Sequence, residues 1–192
     1  MKIVCFGDSN TYGYDPRSWF GDRYPETVRW TGLLKQQGFD VCNEGENGRQ
    51  IPSGEWMIEH ACGRILRHAP FDLLCVMLGS NDLLMGSRTG AEEVSLRMEA
   101  FLNAVLSRGA EAEILLISPP VMHLGDWVSE ERLLTESARM RDHYLALSEK
   151  LGIRFADAEE WGVETGFDGV HFTEAGHEAF ARGLSQELRR IV

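Results

Sequence analysis

Five short apolar runs punctuate the chain: Lys2–Phe6, Phe39–Asn43, Phe71–Leu78, Glu113–Ser118 and Ile153–Ala156. Each is continuous rather than alternating, the pattern of a strand covered on both faces by helices. Between the runs the period changes. Val94, Met98, Phe101, Leu102 and Val105 recur at helical spacing, as do Leu133, Met140, Tyr144, Leu147 and Leu151. The last segment repeats the pattern with Ala175, Ala179, Phe180, Leu184, Leu188 and Ile191. Each set lays an apolar stripe along one side of a helix. Gly109 and Gly152 stand where helices should stop, just ahead of the next strand. Strand–helix units in tandem predict a parallel sheet with helices on both faces, because crossovers between parallel strands are short and right-handed. With no internal repeat, low-complexity tract or linker, one three-layer α/β domain spanning 1–192 is expected. Functional groups in such a sheet gather at the carboxyl ends of the strands, near the reversal of strand order.

Charge narrows the partners. Nineteen Lys and Arg against thirty Asp and Glu give a net charge of −11. Such a surface repels polyanions, since nucleic-acid binding relies on basic groups replacing counterions. Neither nucleic acid nor an anionic membrane is an expected partner. No apolar run approaches the roughly 20 residues that span a bilayer. The opening Met1–Asp8 is broken too soon by Gly7 and Asp8 to read as a secretory signal, which points to the cytoplasm. Cys5, Cys42, Cys62 and Cys75 form no CxxC pair. They read as free thiols, three of them in strand-like runs, rather than as zinc ligands or disulfides.

The candidate chemistry lies just past the strands. After the first comes Gly7-Asp8-Ser9-Asn10-Thr11, where a serine in a tight turn can expose both its hydroxyl and its own N–H. Asp and Ser are equally ordinary as turn and cap residues. After the second comes Asn43-Glu44-Gly45-Glu46-Asn47-Gly48-Arg49, whose glycines allow backbone N–H groups to approach a bound atom. It lacks the GxGxxG dinucleotide pattern. After the third, Gly79-Ser80-Asn81-Asp82 offers an amide that can donate toward a developing oxyanion, or simply a helix start. After the fourth, Val121, Met122, His123 and Trp127 read as pocket wall or lid. Beyond the fifth, Asp168-Gly169-Val170-His171 precedes a helix opened by Thr173. Asp and His three apart can pair, the carboxylate holding Nδ1 and leaving Nε2 as a base. His60, His68, His143 and His177 fall on predicted helices and His123 in a loop, each a surface or packing residue. Asp168, His171, Glu174, His177 and Glu178 lack the HExxH spacing of a zinc site, so no metal and no cofactor are expected.

Nucleophile, base, orienting carboxylate and oxyanion donors, each past a different strand, are the parts of acyl transfer. On these blocks, in order across the whole chain, the sequence resembles the SGNH hydrolases, also called GDSL esterases/lipases. The blocks are Gly7-Asp8-Ser9-Asn10, Gly48, Gly79-Ser80-Asn81-Asp82 and Asp168-Gly169-Val170-His171. It is most similar to the small bacterial arylesterase/acyltransferase branch, through Arg29-Trp30-Thr31-Gly32-Leu33 and His171-Phe172-Thr173-Glu174. The resemblance implies a flavodoxin-like five-stranded sheet of order 2-1-3-4-5. It implies Ser9 as nucleophile, His171 as general base and Asp168 as its orienter. The oxyanion donors it implies are the Ser9 and Gly48 N–H groups and the Asn81 side chain, with Gly45 the alternative to Gly48. Asn10 departs from the family signature, which has Leu there.

Asp8 is expected to tie down the turn that presents Ser9. Tyr12, Tyr14, Trp30, Leu83, Trp127 and Val170 flank the blocks and are candidates to line an apolar pocket. The loops are too short for a large lid domain, which favours small esters with short acyl groups, hydrolysed or passed to another alcohol. Two rivals remain at this point. A flavodoxin-like module binding phosphate or nucleotide at the glycine-rich strand ends explains Gly7, Gly45 and Gly48 but not Asn81 or the Asp–His pair. A magnesium phosphatase using Asp8 needs further acidic ligands, and Asp82 is the only obvious helper. Homo-oligomers are compatible with the sequence, which does not specify one.

Overall fold

A computed structural model of the chain describes residues 1–18, 20–108 and 112–191. The apolar runs form strands β1 (Lys2–Gly7), β2 (Asp40–Gly45), β3 (Leu73–Met77), β4 (Glu113–Ser118) and β5 (Arg154–Asp157). All neighbours are parallel, in the order β2-β1-β3-β4-β5, as the family resemblance implied. Gly7 pairs with Gly45 on one side and Met77 on the other, so three strands end at one level. The order reverses at β1, which places the ends of β1 and β3 beside the crevice such sheets use for ligands.

Among the described residues, seven α-helices accompany the strands: α1 (Ser9–Tyr12), α2 (Trp30–Gln36), α3 (Glu55–Leu66), α4 (Ser80–Met85), α5 (Ala91–Ser107), α6 (Glu131–Leu151) and α7 (Glu174–Ile191). The apolar stripes explain the long ones. Val94, Met98, Phe101, Leu102 and Val105 on α5 are buried, as are Leu133, Met140, Tyr144 and Leu147 on α6. On α7 the buried stripe begins at Gly176 and His177, and Ala175 faces solvent. Gly152 ends α6 in the left-handed conformation that glycine adopts most easily. Gly109, the other expected stop, lies outside the described residues. His68 falls in the turn beyond α3 rather than on the helix.

Successive strand residues point to opposite faces, which divides the core in two. Val4, Phe6, Leu74, Val76, Ile114 and Leu116 pack against α3, α5 and α6. Ile3, Cys5, Leu73, Cys75, Leu115 and Ile117 pack against α2 and α7. This double cover is why the strands read as unbroken apolar runs. The four cysteines are free thiols. No helix among the described residues is long and apolar enough to cross a membrane.

Candidate active site

The turn after β1 is built around Asp8. Its carboxylate caps α1 by accepting the Asn10 N–H at 3.0 Å. Burial pushes this carboxyl up to about 6, against the Asn10 N–H and the charges of His171 and Arg49. Ser9 is the first residue of α1, so its N–H has no intrahelical acceptor, and it makes no hydrogen bond among the described residues. Gly13 ends the helix after one turn.

The segment after β5 brings the imidazole to that turn from across the sheet. His171 Nε2 lies 2.9 Å from Ser9 Oγ, and Nδ1 lies 2.7 Å from Asp168 Oδ2. The other Asp168 oxygen accepts the N–H groups of Val170 at 3.0 Å and His171 at 2.9 Å. Burial alone would raise the Asp168 carboxyl, but these bonds outweigh it and hold the group below its ordinary value. It therefore stays ionised and fixes the ring tautomer that leaves Nε2 facing the serine. Tyr14 and Trp127 flank the imidazole, with ring centroids 4.6 and 4.8 Å away. Trp127 N–H also donates to the Asp168 carbonyl, which joins the loop after β4 to the Asp168–His171 segment.

The third side comes from the ends of β2 and β3. Asn81, on the first turn of α4, donates through Nδ2 to the Arg49 carbonyl at 3.1 Å. That bond uses one of its two amide hydrogens and leaves the other to point elsewhere. Arg49 in turn donates to the carbonyls of Gly7, at 2.7 Å, and Glu44. The two candidate glycines differ. Gly45 has its N–H taken by Asn43 Oδ1 at 2.9 Å, and a Cβ there would meet Tyr12 N at 2.1 Å. Its small size lets β2 close onto α1. Gly48 has φ of +71°, lies exposed in the turn, and has no acceptor for its N–H among the described residues.

Two expected pocket residues are corrected. Trp30 is 1% exposed, with its ring on Phe180 and its Nε1 donating to the Asn10 carbonyl. Leu83 is fully buried in the core between the sheet and α3, α5 and α6. Both flank the motifs in sequence yet point away from the crevice. Val170 is also buried, beneath the site, and Tyr12 lies under the Arg23 guanidinium. Tyr14 and Trp127 are the two that stand over the imidazole. A cavity of about 320 Å3 beside Gly48, lined also by Arg49, Gln50, Trp56, Met57 and His60, was not foreseen. Trp56 there is exposed and stacked on His60. A larger hollow, about 690 Å3, opens at the opposite end of the sheet among Met1, Asp72, Leu73 and Glu113, far from these groups. No group of three or more His, Cys, Asp or Glu that could hold a metal ion occurs among the described residues. His177 is apart from His171, buried against the Trp30 N–H.

Comparison with known proteins gives the family. The profile of the GDSL-like lipase/acylhydrolase family matches residues 5–179. A GDSL lipase of Mycobacterium tuberculosis is 28% identical over 93% of this chain and 78% of its own length. Among solved structures, the aryl esterase of M. smegmatis is 28% identical, covering 100% of this chain and 99% of its own, with a TM-score of 0.86. A carbohydrate acetylesterase family member from Sinorhizobium meliloti is also 28% identical, covering 99% and 98%, with a TM-score of 0.85.

Proposed function

The chain belongs to the GDSL-like lipase/acylhydrolase family and is a carboxylic ester hydrolase; from that premise we propose that Ser9, His171 and Asp168 carry the reaction through an acyl-enzyme. His171 Nε2 takes the Ser9 proton as Oγ bonds to the ester carbonyl carbon, and the carbonyl electrons move onto oxygen. When that intermediate collapses, the bond to the alkoxy oxygen breaks and His171 returns the proton to it. Water, deprotonated by the same nitrogen, then releases the acid and restores Ser9. An alcohol in place of water gives acyl transfer.

The oxyanion lies in this reading among the Ser9 N–H, the Gly48 N–H and the free hydrogen of the Asn81 amide. Donors fixed in advance at that position are the largest electrostatic contribution to such a step, each about 3–4 kcal/mol of barrier. Gly45 is set aside because its N–H is already bonded. The substrates are small esters with short acyl groups. Their carbonyl meets Ser9 under Tyr14 and Trp127, and one substituent reaches the cavity beside Gly48, where Trp56 offers a flat face. The names of the aryl esterase and carbohydrate acetylesterase relatives support this class.

The observation that carries the reading is the buried chain of contacts from Ser9 Oγ through the imidazole to Asp168, 2.9 and 2.7 Å. Its test is labelling with a fluorophosphonate, peptide mapping by mass spectrometry, and p-nitrophenyl acetate hydrolysis with and without EDTA. A single adduct on Ser9 with EDTA-insensitive turnover is the expected result. Metal-dependent turnover without an adduct, or neither turnover nor adduct, overturns it.

A further inference from the structure

Asn10 stands where the family signature has Leu, and its side chain does something leucine cannot. Its Nδ2 donates to the Val170 carbonyl at 3.0 Å, and its Oδ1 accepts the Phe172 N–H at 3.0 Å. Those two groups flank His171. An extended backbone presents the carbonyl of one residue and the N–H of the next but one on the same side, as in a parallel ladder. The planar amide of Asn10, one acceptor beside two donors, takes the place of a neighbouring strand.

The result is a base whose backbone is held throughout. His171 N–H is bonded by Asp168 and its carbonyl by the Gly166 N–H at 2.7 Å. Asn10 supplies the remaining two bonds. Its own frame is equally fixed, with its N–H on Asp8 and its carbonyl on Trp30 Nε1. The two kinds of tether differ. The Asp168 bonds run within the 168–172 segment and do not connect it to the nucleophile. Among the described residues, three hydrogen bonds join α1 to that segment: the two from Asn10, and the Ser9 Oγ–His171 Nε2 contact. The last cannot persist through the cycle. Once Ser9 is acylated its oxygen carries no proton, and Nε2 must turn to water.

We infer that Asn10 is a positioning residue that holds His171 in register with Ser9 while the serine is acylated, so that its side chain acts chiefly on deacylation. In that step a water proton passes to Nε2 as the water oxygen bonds to the acyl carbon. The bond from that carbon to Ser9 Oγ then breaks, and Oγ takes the proton back. The inference rests on the serine-hydrolase reading above.

The test is stopped-flow hydrolysis of p-nitrophenyl acetate by Asn10→Leu, which resolves the acylation burst from steady turnover. Misplacing a catalytic group by about 1 Å costs up to roughly 100-fold. The expected result is a burst rate within about threefold of wild type, steady turnover slower by about 10–100-fold, and KM lowered in parallel with kcat so that kcat/KM stays near wild type, because only the step after acylation is slowed. Asn10→Ser, whose hydroxyl cannot span both backbone groups, serves if the leucine variant fails to fold and should show the same split. Equal slowing of both phases, or no slowing of either in a folded variant, overturns the inference. Ser9→Ala separates the two readings. Turnover surviving in that variant removes the serine mechanism itself, whereas wild-type turnover by Asn10→Leu with Ser9→Ala inactive removes only the role of Asn10.

Discussion

The two halves of the site are anchored differently. On the base side, His171 lies on buried backbone whose polar groups all bond to uncharged partners or to one ionised carboxylate. On the oxyanion side, Gly48 occupies an exposed turn steadied by charge. Arg49 binds Glu46 at 2.7 Å, Arg64 joins both Glu46 and Glu44, and Arg67 and His68 add to Glu44, each at 2.6 Å. Burial works against ionising Glu44, but these partners hold its carboxyl down to about 2. Neutral buried bonds are local and hardly screened, whereas exposed ion pairs weaken as salt rises. The proposed base is thus placed by a rigid frame. The proposed oxyanion turn is held on one firm point, Glu44, with a softer exposed rim beside the cavity of about 320 Å3.

The comparison breaks most openly at the base side. Ser9→Ala and His171→Ala should each lower kcat by about 10⁴–10⁶ while the protein still melts cooperatively. The double variant should lose no more than the worse single one, because the pair acts as a unit. Additive losses in steady-state assays would mean that the two groups work separately. On the oxyanion side the next largest effect belongs to Asn81→Ala, with kcat lower by about 10²–10³ and KM nearly unchanged. A KM rise with unaltered kcat would make Asn81 a substrate contact instead of an oxyanion donor.

What the sequence revealed divides along the same line. Strands were legible because burial on both faces leaves runs such as Leu73–Met77 wholly apolar. The candidate groups were legible because each follows a strand in a short motif, and the fold brings Ser9, His171 and Asp168 within hydrogen-bonding distance. Direction was not. Trp30 and Leu83 flank the motifs, and nothing in their neighbours says that one turns onto Phe180 and the other into the core. Long-range polar partners were hidden for a different reason. Asn10 bonds to groups 160 and 162 positions away, and Arg49 reaches back 42 residues to Gly7. Glu44 was masked as well, since a carboxylate at a strand end ordinarily reads as solvent-facing, and its burial depends on Arg64, Arg67 and His68 from α3 and the turn after it.

Arg49 tests whether the softer half needs its charge for position. Arg49→Met keeps an apolar stem against Phe6 but removes the guanidinium bonds to the Gly7 carbonyl, which retains only the Glu46 N–H at 3.2 Å, and to the Glu44 carbonyl. A hydrogen bond from a charged donor is worth about 1.5–3 kcal/mol, so the turn should shift. The expected outcome is kcat lower by about tenfold, a loss that Arg49→Lys does not restore, because an ammonium lacks the planar fork of the guanidinium. Full activity in the lysine variant would show that charge alone suffices.

The smallest effect on turnover, and the sharpest on linkage, comes from Asp8, which caps the nucleophile turn and feels the charges of both His171 and Arg49. Its carboxyl is raised from 3.8 to about 6 by burial, so the folded protein holds that proton more tightly than the unfolded chain. Stability from this group is complete below the unfolded value, declines as pH rises through the folded one, and is gone above it. Asp8→Asn keeps an oxygen to accept the Asn10 N–H and removes the titration. Urea melts from pH 4 to pH 8 should therefore show the variant gaining on wild type by about 3 kcal/mol across that window, with turnover near normal. A difference that stays constant with pH would mean that the carboxyl is not desolvated, and that the nucleophile turn is as open to water as the rim on the oxyanion side.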